Sequence, residues 1–354
     1  MSGRPTVFDR LLWRVNFLPR DSALRFQPRI AAGIFGFHLL ALLACIPWLF
    51  DWSAVALVPL GMYLFGTLGI NIGFHRLLTH RGFECPRWLE CALTVLGVCC
   101  REGTPLSWVA IHRMHHQHSD DPTDPHTPKA SFFWSHVGWF LVYDPAVWSI
   151  STYDRYVRDL LRDRFIKKLE KPRTQQRILL AQFAVFLALG AIVGALVHGS
   201  WLGALQMSLS WLVWGVFVRT VVVWHVTWSV NSLTHMWGYR NYNTHDDSRN
   251  NLFVGLVSNG EGWHNNHHAQ PRAAAHGHRW WEFDVSFITI WGLEKLGLAW
   301  NVVRPKPRAD VTPVTGSGAE SHPTEAVVPA PVTAPVEVAV VAAPTVPAGP
   351  GSAA

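Results

Sequence analysis

The chain has 354 residues, of which 49% are hydrophobic and only 15% are charged. Soluble domains carry about 25% charged residues, so the composition disfavours a soluble globular protein. Tryptophan occurs 19 times, which is typical of proteins whose indole rings lie at membrane–water interfaces. The formal net charge of +6 is explained by basic loops on one side of a membrane, so we expect no nucleic-acid partner.

Four apolar segments are long enough to cross a membrane. Residues 30–50 contain no charged side chain, and a helix of that length extends roughly 31 Å, which matches the hydrocarbon core of a bilayer. The second segment, residues 53–74, ends just before a histidine-rich motif. The third and fourth predicted spans are residues 178–198 and 202–223. The sequence therefore predicts an all-α integral membrane protein with four transmembrane helices.

Basic residues predict the orientation of these helices. The segment before the first span and the region 75–177 are rich in Lys and Arg, whereas the two short turns between paired spans have none. The positive-inside rule then places both termini and the middle region in the cytoplasm, at the inner membrane of a bacterium. We expect a cytosolic N-terminal segment at residues 1–29 and a membrane domain at 30–304. Residues 305–354 are rich in Pro, Ala and Val, a composition that predicts a disordered tail.

Three histidine-rich motifs follow or precede these spans: HRLLTH at 75–80, HRMHH at 112–116 and HNNHH at 264–268. Neutral imidazole is a common ligand of transition metals, and so many histidines indicate more than one ion. In each HxxHH motif the three histidines lie on one face of a helix. His75 and His80 are five residues apart, so they share an ion only if the helix unwinds between them. Otherwise each binds a different ion.

The residues around the motifs narrow the choice of metal. Carboxylates are scarce within them, which disfavours calcium and magnesium. No cysteine adjoins them, which disfavours structural zinc and iron–sulfur clusters. Iron, copper, zinc and nickel all accept imidazole ligands and stay open at this point. Iron is favoured if the site activates oxygen beside an apolar substrate.

Several stretches resemble the membrane fatty acid desaturases, particularly the acyl-CoA desaturase-like, delta-nine branch: GFHRLLTH, WVAIHRMHHQHSD with DPHTP, FFWSHVGW, TWSVNSLTHMWG and EGWHNNHH. The resemblance covers residues 30–300 and includes the order and placement of all three histidine motifs. It implies a four-helix membrane bundle with a cytosolic helical cap that holds a polyhistidine di-iron site. The implied ligands are His75, His80, His112, His115, His116, His235, His264, His267, His268 and, through a water molecule, Asn231. The other histidines, among them His126 and His276, are expected to support the site, cap helices or lie at the surface.

The resemblance also implies a narrow, bent tunnel for an acyl chain. Trp108 and Thr227 match residues that shape the bend, although an ordinary packing role for Trp108 stays open. Glu102 stands where an amide is expected. Ala110 and Ile111 stand where animal enzymes have an Arg–Asp pair that helps to hold coenzyme A. The acyl carrier is therefore left open between coenzyme A, a membrane lipid and acyl-carrier protein.

The activity implied by this resemblance is that of an oxygen-dependent acyl desaturase of the stearoyl-CoA 9 type. Such an enzyme introduces a cis double bond, at the delta-9 position, into a saturated fatty acyl chain. It uses two iron ions, O2 as co-substrate and two electrons from a separate donor such as ferredoxin, cytochrome b5 or a reductase. One alternative is a di-iron hydroxylase or ketolase that acts on a lipid. The other is a histidine-rich metal transporter, which requires polar groups inside the spans, where we expect few beyond His38.

Overall fold

The computed structural model describes residues 24–306, which belong to the first of two units of the chain, residues 1–314. Most of the predicted N-terminal segment lies in residues 1–23, and most of the predicted tail lies in residues 307–354. These lie outside the described residues, so those predictions stay predictions.

Four helices are long and apolar enough to cross a membrane, by length and composition. They cover Pro28–Cys45, Trp52–Thr79, Pro172–His198 and Trp201–Leu233. The first consists of α1 (Pro28–Ala41) and a 3-10 turn (Leu42–Cys45), and the second of α2 (Trp52–Gly61) and a π-helix (Met62–Thr79). The third is α8 (Pro172–His198), and the fourth joins α9 (Trp201–Leu212), a π-helical stretch (Val213–Val218) and α10 (Arg219–Leu233).

The described residues contain four such helices, as many as the predicted spans, but the helices begin and end at other residues than those predicted. The first ends at Cys45 because Ile46 is extended and Pro47 starts a separate 3-10 turn, Pro47–Leu49. The second runs on to Thr79 because its last polar residues, His75, Arg76 and Thr79, are buried inside the protein. The fourth runs on to Leu233. A search for uncharged segments stops too early in both cases.

The remaining elements are shorter than these four helices. They are the helices α3 (Arg87–Val98), α4 (Pro105–His118), α5 (Phe132–His136), α6 (Ile150–Val157), α7 (Arg164–Leu169), α11 (Leu252–Val257), α12 (His264–Ala269) and α13 (Val285–Lys295). Two further 3-10 turns cover Gly138–Leu141 and Leu160–Arg162. Strands β1 (Arg25–Phe26) and β2 (Val142–Tyr143) pair antiparallel, with Arg25 opposite Tyr143.

Helix α4 has strong local start signals. The side chain of Thr104 accepts a hydrogen bond from the Ser107 amide, and Ser107 in turn accepts one from the Thr104 amide. Pro105 occupies the first helical position, where its missing N–H costs nothing. This reciprocal cap fixes the start of the helix, and with it the position of the HRMHH motif.

One charged residue lies inside the fourth span. Arg219 is fully buried, and its guanidinium donates to the carbonyls of Gly215 and Cys99 and to Oε1 of Gln182. Arg219 is thus an ionisable group inside the predicted spans besides His38. These hydrogen bonds tie α10 to α8 and to the end of α3, so Arg219 stabilises the bundle.

The π-helix packs closely on α3 through two glycines. A Cβ at Gly69 would lie 2.3 Å from the amide nitrogen of Gly97, and a Cβ at Gly97 would lie 2.6 Å from the ring of Phe74. Neither position has room for a side chain without movement of the backbone. By contrast, a Cβ at Gly36 on α1 would meet nothing within 4 Å.

We therefore expect Gly69→Ala to lower the free energy of unfolding by about 1–3 kcal/mol, the usual cost of overpacking. Gly36→Ala is the matched control and should be neutral or slightly stabilising, since alanine favours a helix. Thermal unfolding of both variants in detergent micelles tests this contrast. Equal stability of the two variants would show that the contact between the π-helix and α3 is not tight.

Candidate metal centre

The nine predicted histidine ligands meet in two groups. Within each group one ring nitrogen of every histidine lies within 4.8 Å of the corresponding nitrogens of the others. The first group is His75, His80, His112, His116 and His267. The second group is His115, His235, His264 and His268. Two groups agree with the prediction of more than one metal ion.

The π-helix explains how His75 and His80 share a group. The amide of His80 donates to the carbonyl of His75, which is the five-residue hydrogen bond of a π-helix. The wider turn brings residues five apart onto one face, and the two ring centroids lie 4.9 Å apart. The helix widens here rather than unwinding, so both residues face the same site.

Each HxxHH motif contributes to both groups. On α4, His112 and His116 face the first group, whereas His115 faces the second. On α12, His267 belongs to the first group, and His264 and His268 to the second. The two short helices therefore fix the two groups relative to each other.

The ring nitrogens are arranged as expected for a bound cation. Nε2 of His267 lies 3.0 Å from Nε2 of His75 and 2.9 Å from Nε2 of His116. In the second group, Nε2 of His235 and Nε2 of His264 are 3.1 Å apart. Nε2 of His80, His115 and His268 is buried without a hydrogen-bond partner. Lone pairs that converge in a buried space repel one another unless a cation lies between them, so these donors fit a transition metal.

Four carboxylates orient the rings from outside. Nδ1 lies 2.6 Å from Glu261 in His75, 3.0 Å from Asp124 in His115, 3.0 Å from Asp120 in His235 and 2.6 Å from Asp246 in His268. When Nδ1 donates its proton to a carboxylate, Nε2 is left with a free lone pair. Such carboxylate–histidine pairs are common behind metal ligands and raise their basicity.

Burial keeps most of these imidazoles neutral, which is the form that binds metal. It lowers the pKa of His80, His112, His116, His264 and His267 well below the usual value, and neighbouring histidines add to the effect. It lowers the pKa of His268 to about 4, although Asp246 opposes the shift. The rings are therefore available as ligands at neutral pH without losing a proton.

Sequence reasoning missed the supporting residues of this site. Arg76 is buried and pairs with Glu261 at 2.9 Å and with Asp284 at 3.0 Å, which positions the carboxylate behind His75. His126 lies beside His115, with ring centroids 4.2 Å apart, and His276 lies 3.4 Å from Glu261. Both rings lie beside the site, which is one of the places left open for these two histidines. The four carboxylates lie outside the histidine motifs, and only their contacts in the fold identify them.

A cavity of about 370 Å³ reaches the first group at His112. Its walls are mainly apolar and come from α1, α4, α10 and the segment around Phe140. The predicted tunnel residues Trp108, Thr227 and Glu102 line it, and so does Asn231. The cavity is therefore suited to an extended apolar chain that passes close to the histidines.

Trp108 has both of the roles considered for it. Its ring stacks on His112, with centroids 5.0 Å apart and planes inclined by 29°, and its other contacts include Phe74. It also forms part of the cavity wall. A packing role and a tunnel role are thus compatible, because the same ring supports a histidine and shapes the cavity.

Glu102 is a buried carboxyl group in this apolar wall. Burial raises its pKa to about 8, although hydrogen bonds from Thr227 and Trp108 oppose the shift. Its Oε2 accepts a hydrogen bond from Nε1 of Trp108 at 3.4 Å. At neutral pH the group is therefore uncharged and has the shape and polarity of an amide, which explains how glutamate replaces the expected amide.

The comparisons with known proteins agree with this geometry. Residues 46–284 match the family model of the fatty acid desaturases. The chain is 40% identical to the sn-1 stearoyl-lipid 9-desaturase of Synechocystis, over 85% of this chain and 89% of that protein. It is 42% identical to the enzyme of the same name from Anabaena variabilis, over 75% and 90%. It is 41% identical to the sn-2 palmitoyl-lipid 9-desaturase of a Nostoc species, over 77% and 88%. The chain belongs to the fatty acid desaturase family.

The raised pKa of Glu102 leads to a prediction for the pH dependence. Above pH 8 the carboxyl ionises and places a charge in the apolar cavity, so turnover should fall. Because the folded-state pKa lies above the unfolded value, Glu102 also lowers stability progressively between pH 4.5 and 8. Glu102→Gln should keep turnover, lose the alkaline decline and gain stability over that range.

Turnover and thermal unfolding measured from pH 6 to pH 9.5 test this prediction. The surface substitution Glu294→Gln is the control and should leave both pH profiles unchanged. If turnover still declines at alkaline pH in Glu102→Gln, the decline is caused by another titrating group.

Proposed function

We propose that this protein is an acyl-lipid delta-9 desaturase with two iron ions bound by the nine histidines. The observation that carries the proposal is the pair of adjacent imidazole groups at one end of an apolar cavity. The relatives named as lipid 9-desaturases support the position of the double bond.

Iron is the metal that best fits both the ligands and the family. The first group would supply five imidazoles and the second four, and Asn231 would hold a water molecule. When bound, the iron pair supplies the oxidising power with which O2 removes two hydrogen atoms from an unactivated methylene pair. The chain itself holds the ligands, excludes water from the cavity and positions the acyl chain beside Trp108 and Thr227.

A membrane lipid is the proposed acyl carrier. Ala110 and Ile111 are buried and apolar where coenzyme A binding needs charge, and Ile111 lines the cavity. Residues of α1, including Ile30 and Ile34, form one wall of the cavity within the first span. An acyl chain attached to a bilayer lipid therefore has a shorter path to this site than one attached to coenzyme A or to acyl-carrier protein.

The proposed topology places the histidines on the cytosolic side of a bacterial inner membrane. All three motifs lie on the side of the membrane that carries most of the basic residues, and the positive-inside rule assigns this side to the cytoplasm. Both termini lie there as well. The two electrons then come from a cytosolic donor, such as a ferredoxin, cytochrome b5 or a reductase.

The ligand assignment predicts a loss of iron in two variants. His267→Ala removes a ligand of the first group, and His115→Ala removes one of the second. Each should bind about one iron ion or fewer instead of two and should form no product. Asp246→Asn should weaken iron binding by roughly 10- to 100-fold, the usual effect of losing an outer partner.

Elemental analysis of purified protein and product analysis by mass spectrometry test these variants. The exposed His245→Ala is the control and should keep full iron content and turnover. Normal turnover in His267→Ala or His115→Ala would contradict the ligand assignment.

The proposed reaction predicts the products in a host that lacks its own desaturase. Expression there should produce cis delta-9 monounsaturated acyl chains, found mainly in membrane lipids rather than in acyl-CoA. Fatty acid profiling of separated lipid classes gives the carrier and the position of the bond. Products that gain an 18O atom from labelled O2 would identify the alternative, a hydroxylase or ketolase.

A further inference from the structure

One segment of the chain carries a dense cluster of basic residues. Residues 150–177 contain nine Lys and Arg residues and four Asp and Glu residues, a net charge of +5, compared with +6 for the whole chain. All nine basic side chains are exposed. This segment covers α6, α7 and the first turns of α8.

The acidic residues of this segment are already engaged. Asp154 pairs with Arg158. Asp159 pairs with Arg81 and Arg113, and Asp163 caps α7 and pairs with Arg87. Glu170 accepts a hydrogen bond from the amide of Leu106. The charge that remains on the surface is therefore positive.

Five of the basic residues form no ion pair with the described part of the chain, and we call them the basic patch. They are Arg155, Arg162, Arg164, Lys167 and Lys168. Lys171, Arg173 and Arg177 are excluded, because they stand at the start of the third span.

Helix α4 lies between the cavity beside His112 and helix α6, which carries Arg155 of the basic patch. The inner side of α6 packs on α4 through Val157, which lies in the same buried cluster as Val109 and Ala110. The opposite face of α4, with Trp108 and His112, lines the cavity. Because neighbouring helices pack 8–10 Å apart, this face is a short route to the histidines that does not cross the cavity.

A hydrogen-bond network connects the two sides of helix α4. The guanidinium of Arg113, next to His112, donates to the carbonyl of Tyr156 and to Asp159 on the α6 side. It also donates to the carbonyls of Leu78 and Thr79, the residue before His80. The backbone around two histidines of the first group is thus bonded directly to the segment that carries the basic patch.

We propose that the basic patch docks an acidic electron-transfer protein that supplies electrons to the metal centre through α6 and α4. This inference rests on the proposed desaturase function. The overall reaction is R–CH2–CH2–R′ + O2 + 2e⁻ + 2H⁺ → R–CH=CH–R′ + 2H2O. The partner, an iron–sulfur or haem protein, is oxidised and supplies both electrons one at a time, and the protons come from water. Opposite charges on the two proteins steer such an encounter and set its rate.

The experiment compares two reductants in the full-length, iron-loaded protein in vesicles of zwitterionic lipid. One is an acidic [2Fe–2S] ferredoxin kept reduced by its reductase and NADPH, and the other is dithionite. The variant Arg155→Glu/Arg162→Glu/Lys167→Glu should lose on the order of 10-fold or more of the ferredoxin-driven rate at low salt. Its dithionite-driven rate should equal that of the wild type.

A milder variant and a control complete the test. Arg155→Gln/Arg162→Gln/Lys167→Gln should give an intermediate loss and a weaker dependence of the rate on salt. Arg272→Glu/Lys295→Glu/Lys306→Glu makes the same change of charge at exposed residues outside the basic patch. This control should keep the ferredoxin-driven rate.

Three results would overturn the docking proposal. These are an unchanged ferredoxin-driven rate in the Glu variant, an equal loss with both reductants, or a loss that occurs only in vesicles containing anionic lipid. The last result would assign the basic patch to lipid headgroups. No product from the wild type with either reductant would instead contradict the proposed function, on which the docking proposal depends.

Discussion

The structure depends on one constraint: nine histidine side chains must stay close together in a site from which water is largely excluded. Ring nitrogens 2.9–3.1 Å apart leave lone pairs facing each other, as between His267 and His75. A cation relieves this repulsion, and the four outer carboxylates, such as Asp246, balance part of its charge. The buried pair of Arg76 with Glu261 and Asp284 extends the network. The members of this network come from distant parts of the chain, so their contacts stabilise the fold as well as the site.

The π-helix is the backbone geometry that meets the same constraint. An α-helix places residues five apart on different faces, whereas the wider turn brings His75 and His80 together. Gly69 and Gly97 have no side chains, so α3 packs closely against the π-helix. A helix of unusual geometry is therefore fixed at one end by the histidines and along its side by α3. This explains why the second span continues past the point where its residues cease to be apolar.

The sequence predicted the number of spans and the ligand-bearing motifs because both depend on local patterns of hydrophobicity and spacing. His235 and Asn231 came only from the family resemblance, since their local pattern resembles that of other histidines near spans. The division of each HxxHH motif between two groups depends on how α4 and α12 pack, which spacing alone does not determine. Arg219 lies inside the fourth predicted span, but the partners that satisfy it come from α8 and from the end of α3, and only the fold identifies them. The metal itself and the acyl carrier stay proposals.

Helix α4 lies between the cavity for the acyl chain and the proposed path of the electrons. Residues 108, 111 and 112 recur at helical spacing and face the cavity, so the acyl chain approaches from that side. Residues 106, 109 and 110 face the buried cluster that contains Val157 of α6. One helix thus carries substrate contacts on one face and a covered, apolar contact on the other. In the docking proposal, electrons delivered through α6 reach the histidines without opening the cavity to water, so the apolar surroundings that keep Glu102 uncharged are preserved.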